Sequence, residues 1–157
     1  MEKEYKKVPA PEVYKAYAQC YVCGTDNPGG LHFVNRVEND CGILEFRPKS
    51  FMAGLVTEEN RLMHGGFTMM MFDEIMLYAI RNLRNLDAVS LNVNVNFISP
   101  ARMDYSYRVE TGVREIKGRK VYMDAVMTGD GIKVAEATGL YYVIDMENFV
   151  NSGSSKL

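Results

Sequence analysis

Cysteine is scarce in this chain, three among 157 residues. A small odd number does not build a disulfide framework, which excludes a small cross-linked secreted scaffold. Excess charge of either sign is also missing. Eighteen Lys and Arg against twenty Asp and Glu leave a formal charge of −2. That gives no reason to expect nucleic acid as a partner, since nucleic-acid binding shows as a basic face or a pI above about 9. Long apolar runs are absent too. The longest stretch without a formal charge, Ala88 to Ala101, has 14 residues, short of the roughly 18 that a membrane span needs. No apolar segment follows the charged start Met1-Glu2-Lys3-Glu4, so no secretory leader is expected. Neither an internal repeat nor a low-complexity interior interrupts the chain. What is present is 47% hydrophobic and 24% charged residues, ordinary for a soluble globular protein. The length suits one domain that buries about two-thirds of its unfolded surface.

Along the chain, Pro9 and Pro11 precede a short helix expected over Glu12–Gln19, because proline is accommodated at a first helical position. Asn27-Pro28-Gly29-Gly30 marks a loop. Two extended segments follow, Leu31–Val37 and Gly42–Phe46, split by Glu38-Asn39-Asp40. A loop through Pro48, Gly54 and Thr57–Arg61 then leads to a segment of another kind. Of the 14 residues Phe67–Ile80, only Thr68, Asp73 and Glu74 are not apolar. That pattern predicts a helix buried on every side. Gly65-Gly66 opens it, and Arg81 and Arg84 near its end suit the helix dipole.

Past Leu86-Asp87 the period drops to two. Val89, Leu91, Val93, Val95 and Phe97 alternate with Ser90, Asn92, Asn94 and Asn96, which predicts a strand with one buried face and a hydrated asparagine face. Tyr105–Ile116, Lys120–Thr128 and Ile132–Ile144 read as three more strands, with Lys117-Gly118 and Gly129-Asp130-Gly131 as hairpin turns. The expected class is α+β, with four strands in an antiparallel meander and the sheet curved around one long central helix. A second copy of the chain is the simplest cover for the rest of that helix. The domain is expected over residues 20–146, after an N-terminal extension 1–19 and before a flexible tail 147–157.

A carboxylate taken from water needs a partner or its proton back, so a core-filling helix has little use for Asp73 and Glu74 at its centre. Adjacent helical positions diverge by about 100°, so one acid can face a cleft while the other faces a subunit contact or solvent. Two readings stay open: acids that emerge at the edge of the sheet and simply hydrate it, or a carboxylate serving as base or nucleophile. The helix start His64-Gly65-Gly66 presents free backbone N–H groups at the positive dipole end, which suits an anion or a developing oxyanion. The same glycines also make an ordinary turn, and a histidine there also serves as a hydrogen-bonded structural residue.

The combination resembles a known family. His64-Gly65-Gly66 followed by Asp73-Glu74 in an apolar helix is similar to the hotdog-fold acyl-CoA thioesterases, of the phenylacetate-pathway and 4-hydroxybenzoyl-CoA thioesterase type. Their signature is a His-Gly-Gly turn with an acid nine positions after the histidine, where Asp73 stands. Cys20-Tyr21-Val22-Cys23-Gly24 through Asn27-Pro28-Gly29-Gly30-Leu31-His32 resembles the N-terminal motif of one bacterial branch. Val89–Phe97 resembles the strand after the helix, and Ser99-Pro100-Ala101 its ending. The likeness runs from Cys20 to Val143.

The resemblance implies a hotdog fold, dimeric or higher, that hydrolyses an acyl-CoA thioester to a carboxylic acid and free CoA. It implies no cofactor beyond the CoA of the substrate; from composition, neither nucleic acid nor membrane is expected as partner. It places Asp73 as the carboxylate that attacks the thioester or activates water. The Gly65 amide of the facing subunit would polarise the carbonyl, with Gly66 adjacent, and the Ser90 hydroxyl would orient water. His64, Gly66, Asn60 and Glu74 are the candidates for substrate binding, Asn60 standing in for an amide residue that relatives carry before His-Gly-Gly. The rivals are a hotdog hydratase or dehydratase acting on acyl thioesters, and a non-catalytic module that holds acyl-CoA.

Cys20-x-x-Cys23-Gly24 has the spacing of a metal knuckle, which Cys41, His32 or His64 could complete. No second Cys-x-x-Cys accompanies it, so no metal is expected and the thiols are read as packed and reduced. Met69-Met70-Met71, with Met63 and Met76, read as deformable core or as the lining of an acyl pocket. Arg102, Arg119 and Lys120 are cations suited to the phosphates of CoA. The chain ends Ser155-Lys156-Leu157, a peroxisomal address in a eukaryote. A cytoplasmic location is expected, with the peroxisome as the alternative.

Overall fold

The computed structural model describes Lys15 and residues 17–151. In chain order the elements are β1 (Asn35–Glu38), β2 (Cys41–Phe46), a 3-10 turn (Ser50–Met52), β3 (Ala53–Val56), β4 (Arg61–Met63), α1 (Gly65–Arg84), β5 (Asp87–Phe97), β6 (Tyr107–Lys117), β7 (Lys120–Gly129), β8 (Ile132–Ile144) and α2 (Met146–Asn151). The helix predicted over Glu12–Gln19 begins outside the described residues, and Tyr17–Gln19 form a turn. A short helix occupies the start of the stretch expected as a loose tail.

Six strands form one antiparallel sheet in the order β1-β2-β6-β7-β8-β5. The expected four-strand meander is therefore three strands long. β5 joins at the far edge, paired with β8 from Asp87↔Ile144 to Phe97↔Ala135. The reason lies in the connection Ile98–Ser106, which contains Pro100 and is too long to fold back as a tight hairpin. β1 also starts later than expected. Ahead of it the chain pairs with the N-terminal loop instead: the Leu31 N–H donates to Tyr21 O at 2.7 Å and the Phe33 N–H to Val22 O at 2.9 Å.

Residues 53–63, expected as loop, form the hairpin β3–β4. Its strands carry no hydrophobic alternation; backbone contacts fix it instead. Met63 N–H donates to Ala101 O at 2.7 Å, and His64 N–H to Met52 O at 2.8 Å.

Helix α1 lies against the sheet with Thr68, Met71, Phe72, Ile75, Met76, Ala79 and Ile80 buried. Spacings of three and four residues put these on one stripe. The opposite face is not covered within one chain, and Met69 is 44% exposed there. Burial on every side is thus met on one face only. The helix ends as expected, with Arg81 and Arg84 in its last turn and Asn85 in the left-handed conformation, φ 52°.

Where α1 crosses β8, the side chain at 139 has no room. A Cβ on Gly139 would lie 2.5 Å from Tyr141 Cε2 and 2.6 Å from Met76 Sδ, and Tyr141 and Met76 are both fully buried. Gly139→Ala is expected to destabilise the fold by about 1–3 kcal/mol through overpacking, read as a lower urea midpoint. An unchanged midpoint would show that this crossing is looser than described.

Candidate active site

Asp73 sits midway along α1, half-buried, on the flank that faces β5 and β8. Its Oδ1 accepts two hydrogen bonds, from Ser90 Oγ at 2.6 Å and from the Tyr141 hydroxyl at 3.0 Å. Ser90 and Tyr141 are a directly opposed pair of β5 and β8, so their side chains leave the sheet on the same face, toward the helix. Among the described residues no hydrogen bond reaches Oδ2. The outcome is a carboxylate oriented through one oxygen and open at the other, with the exposed Ser90 on its solvent side.

The alternation of β5 puts Ser90 with the asparagines, away from Val93 and Val95. A β-bulge reverses that. The register passes from Ser90↔Tyr141 to Asn92↔Leu140, leaving Leu91 as an extra residue. One inserted residue changes which parity faces the core. Ala88 is consequently buried on the helix side before the bulge, while Val93 and Val95 pack on the core after it. Ser90 shares the face of Asp73 for this reason.

Tyr141 was not among the residues singled out in the sequence. It is fully buried and its hydroxyl also contacts Met76 Sδ at 3.3 Å. Burial first, and then the negative charge of Asp73, push its pKa far above the ordinary phenol value. It therefore stays a neutral O–H donor at any working pH. The signal for it lay in the apolar alternation of β8, where Tyr141 falls in step with Ala137, Gly139 and Val143 on the buried face.

At the helix start, His64 is extended (φ −63°, ψ 130°) and caps α1, its Nδ1 accepting from the Gly66 N–H at 2.9 Å. His64 and Gly66 thus satisfy one another. Among the described residues no hydrogen bond reaches the Gly65 N–H, which leaves that amide at the positive end of the helix. A Cβ at Gly65 would meet the Phe97 ring at 3.2 Å.

Two of the remaining candidates lie elsewhere. Glu74 is turned away from Asp73, as the helical angle requires. Its Oε1 accepts from Asn35 Nδ2 at 2.6 Å, and its Oε2 lies 3.6 Å from Cys20 Sγ. Asn60 is in the β3–β4 turn, where Arg102 Nη1 donates to its Oδ1 at 3.0 Å. It lines a cavity with Arg102 and Thr57, and Asp73 is not part of that lining. Arg102 is itself paired with Asp104 at 3.1 Å. Among the described residues no helix is long and apolar enough to cross a membrane.

The fold has counterparts. The sequence model of the thioesterase superfamily matches residues 60–136, a span that runs from the β3–β4 turn through α1 and β5, the strand that carries Ser90, into β8. No curated protein matches the sequence significantly. Among solved structures, the PaaI protein of Escherichia coli from the phenylacetic acid degradation operon superimposes with a TM-score of 0.65 at 17% identity, over 86% of this chain and 90% of that one. A hypothetical thioesterase protein of Streptococcus pneumoniae, solved with coenzyme A, gives a TM-score of 0.62 at 18% identity over 71% and 87%. A Streptococcus mutans protein bound to acetyl-CoA gives 0.62 at 18% over 71% and 88%. The architecture is the hotdog fold.

Proposed function

We propose that this chain is an acyl-CoA thioesterase, active as a homodimer or larger homo-oligomer, with Asp73 as the group that activates water. The observation that carries the reading is the Asp73 carboxylate, held at Oδ1 by two hydroxyls and open at Oδ2. Such a group can take a proton from water while that water attacks a carbonyl carbon. The carbonyl oxygen becomes an oxyanion, which backbone N–H groups at a helix start stabilise. Collapse of the tetrahedral intermediate breaks the C–S bond, and the proton held by Asp73 passes to the departing CoA thiolate. The coenzyme A and acetyl-CoA in the two streptococcal structures support acyl-CoA as the ligand class.

One chain does not complete this site. Gly65 and Asp73 lie on the same helix eight residues apart, about 12 Å along its axis. A carbonyl within hydrogen-bond reach of the Gly65 amide is too far from water held by the same chain's Asp73. Two copies with antiparallel helices bring each Gly65 up to its partner's Asp73. The uncovered apolar surface supports such a contact. Leu91, Phe97 and Met69 are 41%, 57% and 44% exposed, and β5 is an edge strand with an unpaired side.

The test is release of free thiol from acyl-CoAs with short, long and aromatic acyl groups. Thiol release in step with acyl-CoA loss supports the reading. Tight binding with no release would point to a binding module, and hydration of an enoyl-CoA without thiol release to a hydratase. The Tyr141 hydroxyl acts on Oδ1 as a hydrogen bond to a charged group, and such a bond is worth about 1.5–3 kcal/mol. Tyr141→Phe is therefore expected to lower kcat roughly tenfold or more, with KM little changed. A kcat equal to wild type would remove Tyr141 from the mechanism.

A further inference from the structure

Away from Asp73, two thiols and a carboxylate converge. Cys20 Sγ, Cys23 Sγ and a Glu74 oxygen all lie within 4.8 Å of one another, although Glu74 is separated from Cys20 by 54 positions. Three structural features hold them there. The Cys20–Gly24 turn closes through a Gly24 N–H to Cys20 O bond of 2.9 Å. A Cβ at Gly24 would lie 2.5 Å from Ala18 O and from Cys20 O, so the turn that gathers the cysteines requires glycine. The turn is anchored in the core through Val22 at its middle, and the segment after it through Leu31, 4% and 1% exposed. The carboxylate is oriented from its other side, since Asn35 Nδ2 donates to Oε1 at 2.6 Å and leaves Oε2 toward Cys20.

We propose that Cys20, Cys23 and Glu74 form a zinc site that ties the N-terminal loop to helix α1. The spacing fits the metal. Zn–S of about 2.3 Å and Zn–O of about 2.1 Å at a tetrahedral angle place sulfur and oxygen ligands about 3.6 Å apart. Cys20 Sγ and Glu74 Oε2 are 3.6 Å apart. Two soft sulfurs select zinc over magnesium or calcium. The bond from Asn35 is the outer hydrogen bond that fixes a ligating carboxylate. Binding forms two Zn–S bonds and one Zn–O bond and releases two thiol protons, with water free to take the fourth position.

The two histidines considered from the sequence are engaged elsewhere. His32 Nδ1 is 2.8 Å from Gly24 O, and His64 caps α1. In the absence of a cation, burial and then Glu74 raise the pKa of Cys23 and keep its proton on. The site is structural, because Glu74 projects from α1 in a different direction from Asp73.

The probe is Co2+, titrated into the full-length, reduced, metal-free protein without oxygen. One equivalent per chain is expected, with a thiolate-to-cobalt charge-transfer band that Zn2+ abolishes by displacement. Cys20→Ser and Cys23→Ser are each expected to weaken binding at least about 100-fold, and Asn35→Ala about 10–100-fold. Cys41→Ser, outside the cluster, is expected to change nothing. A wild-type protein that shows no such band overturns the proposal whatever the variants do. So does a band that persists at wild-type affinity when both Cys20 and Cys23 are serine.

Discussion

Asp73→Asn is expected to lower kcat for acyl-CoA hydrolysis by about 10²–10⁴-fold, the range that a positioned general base contributes, while the protein stays folded. Asparagine matches aspartate in shape, and its Oδ1 still accepts from Ser90 and from Tyr141, now 2.6 and 3.0 Å away. What is lost is the negative charge and the second oxygen, replaced by an amide that cannot take a proton. The half-buried setting favours the neutral side chain, so thermal stability should hold. Binding of a non-hydrolysable acyl-CoA analogue should also be retained, because the change affects the proton transfer and not the pocket. The measurement is single-turnover thiol release beside analogue binding. Turnover within a few-fold of wild type would mean that the two hydroxyls orient a carboxylate with no part in the chemistry.

Gly65→Pro should cost about 10²–10³ in kcat, the effect of removing one oxyanion donor. Proline is suited to this test because it deletes the N–H and little else. It is tolerated at the first helical position, where that N–H has no partner within the helix. The residue before a proline must be extended, and His64 already is, at ψ 130°. The added ring meets Phe97, which the proposed subunit contact covers, so crowding of that ring needs its own control. Gly65→Ala crowds Phe97 in the same way but keeps the amide, and it is expected to retain most of the activity. Equal losses in the alanine and proline variants would assign the effect to Phe97 and not to the donor.

Much of this was legible in the chain. Fourteen nearly all-apolar residues interrupted by two acids fix the central helix and draw attention to its centre, because burial of a carboxylate demands a reason. The His-Gly-Gly turn marks where the helix begins. Other features depend on contacts between distant residues. The pairing of β5 with β8 joins segments about fifty positions apart, and nothing in either strand names its neighbour. The bulge at Leu91 is one unpaired residue inside an otherwise regular alternation, yet it decides the direction of Ser90. Tyr141 looks like any core aromatic of a last strand until that pairing sets it opposite Ser90. The contact of Glu74 with Cys20 and Cys23 likewise needs the N-terminal loop to be folded onto α1, which local spacing does not reveal.

The site as proposed is shared by two protomers, and complementation tests that most directly. Asp73→Asn and Gly65→Pro proteins, each inactive alone, are mixed, dissociated and reassembled, and thiol release is measured. With random pairing in a two-fold dimer, half of the assemblies are mixed, and each mixed dimer has one of its two sites free of both changes, so about a quarter of wild-type activity should return. No recovery, with mixed dimers confirmed by mass, would place both groups in a single chain and contradict the account.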